Sequence, residues 1–396
     1  MKKRVFLAAL IALVVSGSLV FAAGGQQSGG GATAADNLQK SQAIDASVVR
    51  GSDGQLLMPT LTPKQVPPRP ADPSKLPESD PGHWYDQEYA GWNAGAKINP
   101  AKSPKNGSIG KYVIIIMNGD HPYTVAYSNG AKKAAETFGM KVDVWSPNYD
   151  VNIQNQLVDQ AINARPDAIG LVSLNAEAAV QQYRKINQSG IPVFGTNMLG
   201  TAESIRYAVT WTGPDDWAQM RKVSRALADA MGKKGGIAYL THTPGGSPYF
   251  ARMWGPRTEL LQYAPDIKTL DFQSPGFDAA ACKQVVADWI TRFGKDLNAI
   301  FVADDSAQAQ GAIDAIKEAG RTDILIAGAG NSKIGMDAII AGNVLAISAQ
   351  SAEGDGAAPV KAMADWFNGK EMPEILYIAN DVITKTNVQN FQPPQW

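Results

Sequence analysis

The chain has 396 residues, 44% of them hydrophobic and 18% charged, enough for two globular domains each with its own core. Its formal net charge is −1 with acidic and basic residues interleaved, so nothing in it draws a polyanion and nucleic acid is excluded as a partner. A single cysteine, Cys282, allows no intrachain disulfide and no cysteine-built metal site, and the three histidines (His83, His121, His242) lie too far apart in sequence to read as a metal-ligand or triad motif.

At the start, Lys2, Lys3 and Arg4 precede an unbroken apolar run over 5–15, and Ala22 and Ala23 supply small residues for a signal peptidase. Residues 1–23 therefore read as a cleaved secretory signal peptide. The alternative is an uncleaved anchor, because 5–23 just reaches the ~17–20 residues that a spanning helix needs. Residues 24–105 read as a flexible, Gly- and Pro-rich N-terminal extension, with glycine and glutamine concentrated over 24–31 and proline over 59–81. It carries an aromatic patch (Trp84, Tyr85, Tyr89, Trp92) that packs on the globular body or docks a partner.

Regular alternation begins at Tyr112. Residues 112–117 are a near-continuous apolar run, the mark of a strand buried on both faces. Helices over 128–138, 152–163 and 176–188 then alternate with strands over 140–145, 168–172 and 191–194. The pattern runs again, with strands over 236–240, 268–272, 299–303 and 324–327 and helices over 252–263, 279–293 and 307–319. Without hairpin signals between them, such elements form parallel sheets with right-handed crossovers. The fold class is α/β, and two doubly wound halves are the economical arrangement; a single larger sheet is the alternative.

In doubly wound sheets, ligands bind beyond the carboxyl ends of the strands. That rule selects the loops 118–123, 196–198, 242–249, 274–278, 304–306 and 328–331, which are rich in carboxylates, amides and aromatics. These groups suit a neutral polyhydroxylated ligand. Each also has a plainer reading: Asp305 as a helix cap, His121 as a turn residue, and Trp211, Trp217 and Trp254 as core. Enzymatic motifs fail. Gly328-Ala329-Gly330 lacks the third glycine of a dinucleotide fingerprint, Ser247 lacks a nucleophile elbow, and adjacent Asp304 and Asp305 point to opposite sides of a strand end.

From about residue 110 to 386 the chain carries a set of segments in a telling order: Asp120-His121-Pro122-Tyr123, Ser128-Asn129-Gly130-Ala131, Gly190-Ile191-Pro192-Val193, Thr212-Gly213-Pro214-Asp215-Asp216, Asn298 through Asp305, and Ala349-Gln350. In these it resembles the periplasmic sugar-binding proteins of the ribose/galactose type, which serve ABC importers and in some cases chemotaxis. The resemblance implies two Rossmann-like lobes joined by a three-strand hinge, with crossovers near 210–214, 349–352 and 380–381. The first lobe would be 106–211 plus 352–380 and the second 212–351 plus 381–396. It further implies a periplasmic monomer with no catalytic residue, cofactor or metal, which delivers a sugar or polyol to a membrane permease. The alternative is a receptor that presents its closed form to a chemoreceptor or sensor kinase. The expected ligand set is Asp120, His121, Tyr123, Asn197, Trp211, Arg252, Phe277, Asp304, Asn331 and Gln350. Two positions depart from the family pattern: Asn197-Met198 replaces an Asp-Arg pair, and Gly330 replaces an aspartate. Both leave fewer groups to read hydroxyls, which points away from ribose and galactose themselves.

Overall fold

The structure, a computed structural model, describes residues 33–59 and 64–396; the expected signal segment 1–23 and the glycine-rich stretch 24–31 lie outside the described residues. In chain order its strands are β1 (Tyr112–Ile116), β2 (Lys141–Trp145), β3 (Ala168–Val172), β4 (Val193–Thr196), β5 (Trp211–Gly213), β6 (Lys234–Leu240), β7 (Asp266–Gln273), β8 (Leu297–Val302), β9 (Leu325–Gly328), β10 (Ala346–Ala349), β11 (Ile375–Tyr377) and β12 (Asp381–Thr384). They form two six-stranded sheets, ordered β2-β1-β3-β4-β5-β11 and β7-β6-β8-β9-β10-β12. Every pairing is parallel except that of β10 with β12. The two sheets share one strand order, which is the structural form of the alternation that the sequence repeats.

Both faces of each sheet are covered, and the strand period of two sorts the side chains accordingly. In β1, Val113 and Ile115 join Tyr127, Ala131, Val360 and Met363 on one side. Ile114 and Ile116 join Val158, Ala179 and Tyr183 on the other. In β6, Ala238 and Leu240 face Trp289 and Ile313, whereas Ile237 and Tyr239 face Val223 and Leu260.

The chain passes between lobes three times. After β5 it enters the helix Asp216–Ala230, whose Met220, Val223 and Leu227 pack in the second lobe. After β10 it returns through the helix Ala352–Phe367, whose Ala357, Val360 and Met363 complete the first. Between β11 and β12 it crosses again, and Val388 and Phe391 end in the second core. Thr212 pairs with Thr196 and Leu376 inside the first sheet, so the first lobe runs two residues past the expected boundary at 211.

The extension departs from the flexible segment expected. Its described part is docked, because its apolar side chains have cores to enter: Leu57 and Met58 are buried in the first lobe, Trp84 in a cluster with Trp217 and Trp254 of the second. The helix Ala34–Gln42 is held on the first lobe by Asn37 donating to Asn106 O (2.9 Å) and Ser108 N donating to Ser41 Oγ (3.0 Å).

The first lobe closes on a helix pair that meets backbone to backbone. A Cβ on Gly130, in the helix Pro122–Thr137, would lie 1.9 Å from Glu353 O, and one on Gly356 would lie 1.9 Å from Tyr127 O. Gly130→Ala is expected to push the helices apart and cost about 2–3 kcal/mol, read as a lower urea midpoint with an unchanged m-value.

Candidate functional site

In both sheets the strand order reverses direction beside the first strand, between β1 and β3 and between β6 and β8. Crevices at such points take ligands, and here the two face each other. Asn118, His121, Tyr123, Tyr149, Asn197 and Met198 line the first-lobe side of a shared cavity; His242, Pro248, Arg252, Phe277, Asp304 and Gly330 line the second, with Gln350 and Trp396 between. The cavity holds about 580 Å³ of free space with its open mouth included. That suits one small ligand.

On the first lobe, Pro122 opens a helix that His121 caps: Tyr123 N donates to His121 Nδ1 at 3.1 Å. In the neutral ring the proton is therefore on Nε2, which faces Asp304 Oδ2 of the other lobe at 3.9 Å. Burial lowers the His121 pKa, with Arg252 adding to the effect and Asp304 opposing it. Tyr123 Oη donates to Asp355 Oδ2 (2.8 Å) and accepts from Gln350 Nε2 (2.8 Å), while Asn197 Nδ2 donates to the same Asp355 oxygen (2.5 Å). Asp355 Oδ1 is buried without a partner. Burial raises the Asp355 pKa to about 7 from 3.8, against the pull of the Asn197 and Tyr123 hydrogen bonds.

On the second lobe, Arg252 lies in the helix Ser247–Tyr263 and donates from Nε to Asp216 Oδ1 (2.9 Å) and from Nη1 to Ala303 O (2.8 Å). Its Nη2 lies 3.5 Å from Gln350 Oε1. Its charge is thus matched by Asp216, and its remaining donors face the cleft. Asp304 divides its carboxylate. Oδ1 accepts from Ser306 N (3.1 Å) and Ser306 Oγ (2.7 Å), and Oδ2 stays open toward His121. Burial, with Arg252 nearby, pushes the His242 pKa down to about 3, so this ring is neutral too. Phe277 sits between the imidazoles, its centroid 5.9 Å from His121 and 5.0 Å from His242.

Of the expected set, the structure brings His121, Tyr123, Asn197, Arg252, Phe277, Asp304 and Gln350 to one cavity. It leaves out three. Trp211 packs in the core with Leu199, Ile375 and Tyr377, and its indole N–H donates to Met198 O (3.3 Å) from beneath the loop instead of entering the cavity. Asp120 is exposed outside the cavity. Asn331 stands behind the wall and accepts from Trp396 Nε1 (3.4 Å). Asp305 does not cap the helix Ala307–Glu318 as the plainer reading had it; Asp304 Oδ1 binds the amides there, and Asp305 Oδ2 accepts from Ser332 N (2.9 Å). Gly330 has a physical reason: its φ is 118° and a Cβ would lie 2.2 Å from Asp305 Oδ1, so no side chain fits there. Sequence reasoning missed Tyr149 and Trp396. The strand-end rule, applied to the loop after β2, would have found the first.

A pH effect follows from Asp355. Its raised pKa means the folded chain holds this proton more tightly than the unfolded one, so the associated stability is complete below about pH 4 and is lost as pH rises through about 7. Urea unfolding at pH 5 and pH 8 is expected to show a fall in stability that is smaller in the Asp355→Asn variant, the remainder coming from Asp305 and Asp216, whose pKa values burial also raises.

Among the described residues no three His, Cys, Asp or Glu side chains gather to hold a metal ion. The chain matches the family described as "Periplasmic binding protein domain" over residues 112–371. It is 30% identical over 246 residues to a xylitol-binding protein of Mycolicibacterium smegmatis, covering 62% of this chain and 69% of that protein. It is 28% identical to a D-apiose import binding protein of Paraburkholderia graminis, covering 69% of this chain and 87% of that one. The solved structure of an ABC transporter solute binding protein from Bacillus halodurans C-125 with bound myo-inositol covers 73% of this chain and 99% of its own, at a TM-score of 0.67 and 20% identity, a likeness of fold. The chain belongs to the periplasmic binding proteins.

Proposed function

We propose that this protein captures a small neutral sugar or polyol in its interlobe cleft and presents it to the permease of an ABC importer. The observation that carries this reading is the charge arrangement around Arg252. The guanidinium is matched by buried Asp216 at 2.9 Å, and the carboxylate that remains open to the cavity, Asp304 Oδ2, repels an anion. What faces the ligand is then a carboxylate, spare guanidinium donors, two neutral imidazoles and an amide. Hydroxyl groups both donate and accept, so they satisfy such a mixed set without bringing charge. The relatives described above, a xylitol-binding protein and a D-apiose import binding protein, support the same class. Closure follows because a ligand touching both walls favours the conformation in which both are near.

Export through a signal peptide cleaved near Ala22 or Ala23 goes with this function, and N-terminal sequencing of the mature protein tests it. The ligand class is tested by mass spectrometry of whatever the native protein releases on denaturation, followed by calorimetry with xylitol, D-apiose and myo-inositol. A phosphorylated or carboxylated ligand would overturn the reading. Arg252→Ala removes charge-assisted hydrogen bonds and leaves Asp216 buried without its partner; binding is expected to weaken by about 2–4 kcal/mol. Unchanged affinity would remove Arg252 from the site.

A further inference from the structure

We propose that Trp396 is a wall of the cleft that sets which ligands it admits; the proposal rests on the ligand class argued above. The family match ends at residue 371, so the segment 385–396 lies outside what the family description covers. Gln395 fixes the segment from three sides: its Oε1 accepts from Glu353 N (3.0 Å) and Ser351 Oγ (3.2 Å), and its Nε2 donates to Asp53 Oδ2 (2.8 Å). The next residue is pinned on the second lobe, where Lys333 N donates to Trp396 O (2.6 Å) and the indole N–H reaches Asn331 Oδ1 (3.4 Å). Its ring nevertheless meets the first lobe edge-on, with centroids 5.4 Å from His121 and 5.5 Å from Tyr123. Trp396 therefore stands where the lobes meet. With its N–H engaged, it offers the cavity carbon surface, while hydroxyl-reading groups gather on Asp304 and Arg252. A ligand that fits has its hydroxyls along one edge, carries C–H groups on the other, and is small enough not to strike the indole.

Calorimetry with xylitol and myo-inositol as probes tests this on wild type, Trp396→Ala and Trp396→Phe, with ligand-free melting temperatures measured alongside. Trp396→Ala is expected to weaken xylitol tenfold or more and to shift the affinity ratio toward the bulkier myo-inositol, while Trp396→Phe keeps most of the wild-type preference. An unchanged ratio in a folded Trp396→Ala variant would overturn the proposal. Wild-type protein that binds neither probe and releases no neutral polyol would overturn the ligand class, and this proposal with it.

A second inference stands on different residues. The geometry points to 84–98 as a strap that ties the two lobes beside the hinge and limits how far they part. On the second lobe, Trp84 stacks on Trp254 (4.6 Å between centroids), and Glu88, 1% exposed, accepts from Arg221 Nη1 (2.7 Å) and Nη2 (2.6 Å). On the first, Ala90 and Ala94 are buried against Leu199, Ile205 and Ile375, and Ile98 N donates to Arg206 O (2.8 Å). Lys64 joins Glu88 to Asp215 at the first passage (3.0 and 2.9 Å). Only Tyr89 separates the two anchorages. Any rotation about the hinge must strain that residue or break one side.

Spin labels on Lys132→Cys and Lys317→Cys, both exposed and on opposite lobes, report the interlobe distance in ligand-free protein; the native Cys282 is buried. Trp84→Ala is expected to lengthen and broaden that distance distribution. Four Gly/Ser residues inserted after Tyr89, which slacken the strap and keep both anchors, are expected to do the same. Distributions equal to wild type in both variants would overturn the strap.

Discussion

A guanidinium set into a cleft needs a counter-charge, and this fold supplies one from the place where the chain has just changed lobes. Asp216 opens the first helix after the first passage and holds Arg252. From Arg252 the polar contacts run to Gln350 at the second passage, on to Tyr123, and through Asp355 to Asn197 at the end of β4. One connected line of side chains therefore spans the second lobe, the hinge and the first lobe. The residues that shape the pocket are also the ones that fix the lobes against each other, so a change at either passage is felt at the ligand. Burial of this line makes each member depend on its neighbours, because a polar group left alone there is costly.

Most of the fold was legible. The strand over 168–172 and the helices over 176–188 and 279–293 match the structure residue for residue, since each is a clean apolar run or stripe closed by a glycine or polar cap. The helices at Pro122 and Ser247 start earlier than periodicity indicated. Their first turns mix proline, polar and aromatic residues, of which Tyr123, Thr124 and Pro248 line the cleft, so the apolar stripe begins a turn or more late. The helix Ala352–Phe367 has only a faint stripe, because it is buried nearly all round and small residues let its neighbour approach. The extension misled only in its flexible part: proline and glycine content describes the backbone, whereas Ala90, Leu57 and the aromatic patch with Trp84, which was expected to pack on the body, decide whether it docks.

The site was legible as far as local order carries. Loops at strand ends delivered His121, Asn197, Phe277 and Asp304, and the family pattern delivered Arg252 and Gln350. Trp211 was misplaced because a strand's alternation decides which side a residue faces, and a three-residue strand offers too little pattern to read. Trp396 had no signal in its own segment. It enters the cleft only because Gln395 is caught by Asp53, Ser351 and Glu353, residues hundreds of positions away in the chain or on the far side of the hinge.

The glycine contact between the helices Pro122–Thr137 and Ala352–Phe367 also bears on how the chain is assembled during synthesis. Residues 216–349 hold a contiguous set of elements in the second sheet and can form their core as they emerge. The first lobe begins earlier in the chain yet waits longer. The helix that covers one face of β1, β3 and β4 arrives only after β6 to β10 of the second lobe have been made. Until then Val113, Ile115 and Tyr127 lack Val360 and Met363, the later part of their cover. Such delayed, long-range closure slows folding and exposes apolar surface to other chains. The lobe that comes first in sequence thus stands half covered through the synthesis of most of the second, and depends on being kept from aggregating meanwhile.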